Sequence, residues 1–132
     1  MTLVLDASVI IDLLLRREPF YSRIKLLIRS ADWLAAPHLM DIEVVQVLRR
    51  FVLRGELTRQ RAEEAIRDLQ DLPIERYPHT AFLPRVFRLR NNLTAYDALY
   101  LVLAETLQAT LLTQDTALGE VNNRGITVTV IS

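Results

Sequence analysis

The sequence predicts an α/β domain of three layers, with a mainly parallel sheet of four to five strands between helices. Short apolar runs of strand length alternate with longer segments whose apolar residues recur at helical spacing. The chain has 132 residues, of which 51% are hydrophobic, so it has enough apolar material for a substantial core. We therefore expect residues 1–132 to form one domain.

The predicted elements follow one another without an internal repeat or linker. Gly55 is typical of a residue that ends a helix. Pro84 is expected to make the helical segment at 80–90 irregular. Residues 73–77 are a weaker strand, because they carry charges and are bounded by prolines. In chain order we expect strands at 2–5, 33–36, 73–77, 110–113 and 126–131, and helices from Val9, at 21–29, at 39–54, from Thr58, at 80–90, at 94–107 and, as a short turn, at 116–118.

Composition excludes several classes of protein. There is no cysteine, which excludes disulfides, thiolate metal sites and thiol nucleophiles. No apolar run is long enough to cross a bilayer, and the first residues lack the pattern of a secretory signal, so we expect a cytoplasmic protein without membrane contact.

Formal net charge is zero, so any binding to nucleic acid must depend on local basic patches. Lys25 is the only lysine, and arginine suits bidentate phosphate contact, although base composition also favours arginine. Asp12 lies four residues before Arg16, a spacing that predicts an exposed ion pair. The candidate RNA contacts, which an ordinary solvated face would also explain, are Arg16, Arg17, Arg50 and Arg88.

Two acidic residues fall at strand ends. Asp6 ends the first strand, and Asp115 comes two residues after the strand at 110–113. In open parallel sheets, binding sites lie beyond the carboxyl ends of the strands, where the strand order reverses. Both residues are therefore expected at one edge of the sheet.

Two more acidic residues lie on apolar helix faces. Glu43 has Leu39 one turn before it and Val47 one turn after it, with no basic residue three or four positions away. Asp97 is similarly surrounded by apolar positions. An ionised carboxylate that faces a core is costly unless it is paired or binds a metal.

Helix capping is the alternative explanation for three of these acids. Asp6 or Ser8 is suited to cap the first helix, Asp115 the turn after it, and Thr94 with Asp97 resembles a capping box. Each cap would stabilise its helix by about 1 kcal/mol. Glu43 lies in mid-helix, where capping does not apply.

Four carboxylates above one sheet edge would repel one another unless a cation lay among them. Oxygen ligands without sulfur favour Mg²⁺ or Mn²⁺ over zinc or copper. The chemistry that uses such a cluster is phosphodiester hydrolysis by metal-activated water. Ser8 and Thr113 carry hydroxyls near the same strand ends and are candidates for a supporting role.

The sequence resembles the PIN-domain family, and in particular VapC-type toxins of toxin-antitoxin pairs. The resemblance covers essentially the whole chain and is carried by LVLDASVIIDLLL, PHLMDIEVVQVLRR, NLTAYDALYLVLAE and LLTQD, in the family's order. It implies a PIN fold, metal-dependent cleavage of tRNA, rRNA or mRNA, a homodimer and an inhibitory antitoxin. It also implies metal coordination or water activation by Asp6, Glu43, Asp97 and Asp115, supported by Ser8 and Thr113. Some members carry a further acid near the third aspartate, which Asn92 and Tyr100 do not supply.

Other functions are less consistent with these residues. A receiver domain needs an early acidic pair and a late lysine, and an aspartyl phosphatase needs an acid where Ser8 stands. The remaining alternatives are a PIN-type RNA-processing nuclease outside a toxin pair and a non-catalytic PIN-like interaction module.

Overall fold

The computed structural model describes residues 1–120 and 125–132, and its five strands form one sheet. Each strand is a short run rich in apolar or β-branched residues, as expected for strands that helices cover. The strands are β1 Thr2–Leu5, β2 Trp33–Pro37, β3 Ile74–Tyr77, β4 Thr110–Thr113 and β5 Thr127–Val130.

Seven α-helices lie within the described residues, together with one 3₁₀ turn at Thr80–Phe82. Several begin at capping residues: the Thr58 and Thr94 hydroxyls accept the backbone N–H groups three residues on. The helices are α1 Ala7–Leu15, α2 Phe20–Arg29, α3 Leu39–Leu53, α4 Arg59–Asp71, α5 Leu83–Arg88, α6 Ala95–Leu107 and α7 Thr116–Glu120.

All strand pairs in the sheet are parallel, in the order β3-β2-β1-β4-β5. Strands β2 and β3 are added on one side of β1. The chain then crosses to the other side of β1 and adds β4 and β5 there. The strand order therefore reverses between β1 and β4, which pair through Leu3, Val4 and Leu5. This confirms the predicted fold class, and the sheet is wholly parallel.

Helices cover the sheet in two groups. Helix α1 packs against α2, α3 and α4, whereas α6 packs against α5 and against strands β1, β2 and β4. Right-handed crossovers put the helices that connect β1 to β3 on one face and those of the return connection on the other. Both faces of β1 and β4 are thus covered, and Val4, Leu5 and Leu111 are fully buried. No helix in the described residues is long and apolar enough to span a membrane.

Two local predictions differ from the structure. The segment 80–90 is divided into the 3₁₀ turn and α5, because Pro84 lacks an N–H and is tolerated only in the first turn of a helix. Asp12 is buried, with 6% exposure, and its charged partner is Arg17 rather than Arg16. The reason is that α1 ends at Leu15 and Arg16 adopts a left-handed conformation, so the helical spacing of four does not extend to Arg16.

Candidate active site

The candidate site lies where the strand order reverses, at the carboxyl ends of β1 and β4. Asp6 follows β1 directly, and its N–H donates to the carbonyl of Leu112 at 3.2 Å. Asp115 follows β4 by two residues. The adjacency of β1 and β4 therefore brings together two acids that are 109 residues apart in the sequence.

Asp6 is held by three groups. Its Oδ1 accepts from the Ser8 hydroxyl at 2.6 Å and from the Val9 N–H at 3.1 Å, so it caps α1. Its Oδ2 accepts from the hydroxyl of Thr113. Asp6 is 8% exposed, and this set of donors offsets part of the cost of burying its charge.

Thr113 connects the two strand-end acids. Its side chain is fully buried; the hydroxyl donates to Asp6 and accepts from the Asp115 N–H at 2.9 Å. Asp115 Oδ1 in turn accepts from the Ala117 N–H at 2.8 Å, at the start of α7. Ser8 and Thr113 thus both support the acids through direct hydrogen bonds.

Glu43 and Asp97 reach the same place from helices on opposite faces of the sheet. Asp97 lies in the first turn of α6, where its N–H donates to Thr94 Oγ1 at 3.2 Å. Glu43 lies in α3, and its Oε1 accepts from the Tyr100 hydroxyl at 2.5 Å. Both carboxylates are half-buried.

All four predicted acids line one pocket of about 350 Å³. The structure therefore brings together residues from four separate segments of the chain. The pocket is lined by Asp6, Ala7, Ser8, Glu43, Asp97, Tyr100, Gln114 and Asp115.

The pocket disfavours negative charge. Burial raises the pKa of Asp6 above its usual range, and Asp115 raises it further, against the hydrogen bonds from Ser8 and Thr113. Burial also raises the pKa of Glu43, as do Asp6 and Asp97, whereas the Tyr100 hydrogen bond lowers it. The pKa of Asp97 is raised by burial and by the charges of Asp115 and Asp6. Burial is the main cause of this pattern, and the like charges of the neighbouring acids add to it.

These residues fit a divalent cation. The donors are carboxylate oxygens, the ligand type of Mg²⁺ and Mn²⁺, and a cation would relieve the repulsion that raises their pKa values. Although the four acids line one pocket, no three acidic or histidine side chains across residues 1–120 and 125–132 are already placed closely enough to hold a metal ion. Mg²⁺ usually binds one or two carboxylates and keeps several waters, so such a cage is not required.

The capping interpretation holds alongside the site. Asp6 and Asp115 each accept a backbone N–H at a helix start, yet both line the pocket. A carboxylate has two oxygens and about four acceptor positions, so one group is able to cap a helix and face a ligand.

Two polar residues that line the pocket were not predicted as part of the site. Tyr100 follows Tyr96 at a helical spacing that is typical of packing residues, yet its hydroxyl contacts Glu43. Gln114 lines the pocket, and its amide donates to the buried carboxylate of Asp12. The only signal for Gln114 in the sequence was its position between Thr113 and Asp115.

The candidate RNA-binding arginines lie outside this pocket. Arg17 is paired with Asp12 at 3.5 Å, and its guanidinium lies over the ring of Phe51. Arg16, Arg50 and Arg88 are exposed. Their role in binding RNA stays a prediction.

The comparisons agree with this fold and show the family of the chain. A family model, "PIN domain", matches residues 3–123, so the chain belongs to the PIN-domain family. Curated relatives place it among the VapC-type members. Ribonuclease VapC1 of Mycobacterium tuberculosis is 38% identical over 117 residues, 88% of this chain and 87% of that protein. Ribonuclease VapC9 of the same species is 35% identical over 102 residues, 77% of this chain and 80% of that protein.

Two solved structures share the fold. VapBC2 from Rickettsia felis, bound to a DNA fragment from their promoter, matches with a TM-score of 0.71 at 13% identity, covering 100% of each chain. PAE2754 from Pyrobaculum aerophilum matches with a TM-score of 0.66 at 23% identity, covering 97% of this chain and 92% of that one. At these identities the comparison shows the fold alone.

Proposed function

We propose that this chain is a metal-dependent endoribonuclease, the toxin of a type II toxin-antitoxin pair. The observation that carries the proposal is the convergence of Asp6, Glu43, Asp97 and Asp115 in one pocket at the switch point of the sheet. The VapC relatives that match most of the chain carry the name ribonuclease, which supports an RNA substrate.

The proposed cofactor is Mg²⁺ or Mn²⁺, held by oxygens of the four acids. When bound, it would supply positive charge beside the scissile phosphate and make water more acidic. The carboxylates of Asp6 and Asp115 are fixed by backbone N–H groups at helix starts, so they provide rigid oxygen ligands for the metal. Glu43 and Asp97 complete the pocket, and the Glu43 carboxylate is the proposed proton acceptor for the attacking water.

Exposed arginines are the proposed contacts for the RNA backbone. Arg50 and Arg88 are the better candidates, because Arg17 is already engaged by Asp12 and Phe51. With a net charge of zero, the chain depends on such local contacts for affinity.

Cleavage of total tRNA and rRNA by the purified protein tests the nuclease directly. We expect discrete fragments with Mg²⁺ or Mn²⁺ and none with EDTA. Asp97→Asn should keep the fold and lose most cleavage, by about 100-fold or more, because one of four charged oxygen donors is neutralised. Gel analysis of end-labelled RNA measures the rates.

The matched control is Asp68→Asn, which neutralises an exposed aspartate on α4. It should cleave at the wild-type rate. Full activity of Asp97→Asn would remove this residue from the site. No cleavage of any RNA, together with no binding of Mn²⁺ by calorimetry, would favour a non-catalytic interaction module.

We also propose a homodimer and an antitoxin partner, both in the cytoplasm. An apolar groove of about 410 Å³ lies between α3, α5 and α6 and includes the exposed side chains of Ile42, Leu83 and Tyr96. Exposed apolar surface of this kind is typical of a protein interface, which supports the homodimer.

The antitoxin partner is supported by the fold that the chain shares with VapBC2 and by its similarity to VapC ribonucleases. Co-purification with the product of a neighbouring small reading frame, and loss of cleavage in that complex, would test it.

A further inference from the structure

Tyr100 makes the contact that joins the two faces of the domain at the site. It lies on α6, one turn after Asp97, and is 2% exposed. Its hydroxyl donates to Glu43 Oε1 at 2.5 Å, across 57 residues of sequence. Glu43 belongs to α3, so the hydrogen bond links helices that cover opposite faces of the sheet.

The phenol is not explained by packing alone. Its neighbours Leu99, Leu101 and Leu103 on the same helix are buried and aliphatic, and a phenylalanine would fill the same space. A buried hydroxyl needs a partner. At this position the partner is one of the four acids rather than a backbone carbonyl.

Glu43 is held by a side chain from a distant helix, whereas Asp6 and Asp115 each accept a backbone N–H at a helix start. Asp6 has three hydrogen-bond donors and Asp115 accepts from a helix-start N–H. For Glu43, within the part of the chain that the structure describes, the Tyr100 hydroxyl is the hydrogen-bond partner observed. Glutamate also has one more rotatable bond than aspartate, so it loses more freedom when it is fixed.

We propose that Tyr100 is a positioning residue, which fixes the Glu43 carboxylate through Oε1 and leaves Oε2 as the oxygen available to the metal or to water. The proposal deepens the proposed function and rests on it. Outer hydrogen bonds to ligating carboxylates set their orientation and typically change metal affinity or activity by about 10- to 100-fold. Tyr100 therefore acts on the reaction through Glu43, without contact with the reacting atoms.

The direction of this hydrogen bond follows from the two groups: the Tyr100 phenol carries the O–H that donates, and the Glu43 carboxylate oxygen accepts.

Tyr100→Phe tests the proposal, because it removes the hydroxyl and keeps the ring. We expect a folded protein, a value of kcat reduced about 10- to 100-fold with KM for RNA little changed, and a Kd for Mn²⁺ raised about 10-fold. Calorimetry or electron paramagnetic resonance with Mn²⁺ alone measures the last quantity without RNA. Tyr21→Phe, on α2 and outside the pocket, is the matched control and should match the wild type in both measurements.

A double-mutant cycle separates positioning from general loosening of the structure. In the Glu43→Gln background, Tyr100→Phe should cause little further loss of Mn²⁺ affinity or cleavage, because the group it orients is already altered. Incorporation of 4-aminophenylalanine at position 100 restores an N–H donor on the same ring and should recover part of the affinity. It also provides a second variant should the phenylalanine substitution reduce folding.

Wild-type Mn²⁺ affinity and cleavage in Tyr100→Phe would overturn the proposal, as would losses that add fully in the double variant. The proposed function fails by a different result, the absence of RNA cleavage by the wild type. In that case the Mn²⁺ measurements still decide whether Tyr100 positions Glu43.

Discussion

Individual acids in the pocket are held in different ways. Asp6 and Asp115 each accept a backbone N–H at a helix start, Asp6 together with two hydroxyls, whereas Glu43 is held by a side chain from a distant helix. The sequence was sufficient to predict that the four acids lie together, because strand ends and apolar helix faces are visible in its pattern, whereas their catalytic role stays a prediction. The Tyr100 contact was not predictable from helical spacing, since it depends on how two distant helices meet over the sheet edge.

Asp97→Asn should stabilise the metal-free protein. A raised folded-state pKa for an acid means that its ionised form destabilises the fold above that pKa, so a neutral side chain should help at neutral pH. The α6 N-terminus favours a negative charge by about 0.3 to 1 kcal/mol, which opposes the burial and repulsion that raise the pKa of Asp97. We expect a gain in the free energy of unfolding of about 1 kcal/mol, measured by urea denaturation in EDTA.

Addition of Mn²⁺ should reverse this order. The wild type should gain stability by binding the ion in its folded state, and the variant should gain much less. A metal-free Asp97→Asn protein less stable than the wild type would show that the aspartate has a mainly structural role.

At the scale of elements, the end of α3 shows how local sequence sets a boundary. Gly55 has a φ of 75°. Its N–H donates to the Val52 carbonyl at 3.0 Å, and the Glu56 N–H donates to that of Phe51 at 2.9 Å. This pair of bonds is the Schellman motif, which requires a left-handed residue. The sequence therefore predicted this boundary correctly, whereas the pairing of Asp12 depended on a helix end that it did not predict.

Gly55→Ala should lower the free energy of unfolding by about 1 kcal/mol, because a Cβ is unfavourable at this φ even though no atom lies close to it. Glu56→Ala removes only the neighbouring exposed side chain and is the control. Urea denaturation compares the two variants. Equal stability of Gly55→Ala and the wild type would mean that the motif relaxes without cost.

For the whole molecule, the alternation of strands and helices was enough to predict a parallel sheet. The strand order was not predicted, because apolar periodicity does not specify which strands are neighbours. That order nevertheless positions the site: β1 and β4 lie side by side, so Asp6 and Asp115 meet. Ile42 and Tyr96 on the apolar groove each directly precede an acid of the site, so the proposed dimer face adjoins the pocket.

Leu83→Glu should dissociate the proposed dimer. Leu83 is 50% exposed on the apolar groove, so a charge there should leave the fold intact while opposing burial of that face. Light scattering after size exclusion should show a mass near 15.2 kDa for the variant and twice that for the wild type. Leu26→Glu, on the exposed face of α2, should remain dimeric. The assignment of this face would fail if both variants dissociated alike.

The two strand-end acids both cap a helix and line the pocket, and this affects what their presence means in other members of the family. A descendant that lost nuclease activity would still need Asp6 to begin α1 and to accept from Thr113, so this residue would tend to persist. Glu43 begins no helix, and its charge is unfavourable in the pocket, so its retention would depend on its proposed catalytic role and on the buried Tyr100 hydroxyl that donates to it. Under the proposed function, a glutamate at this position of α3 in a homologue is therefore better evidence of a working enzyme than the aspartate after the first strand.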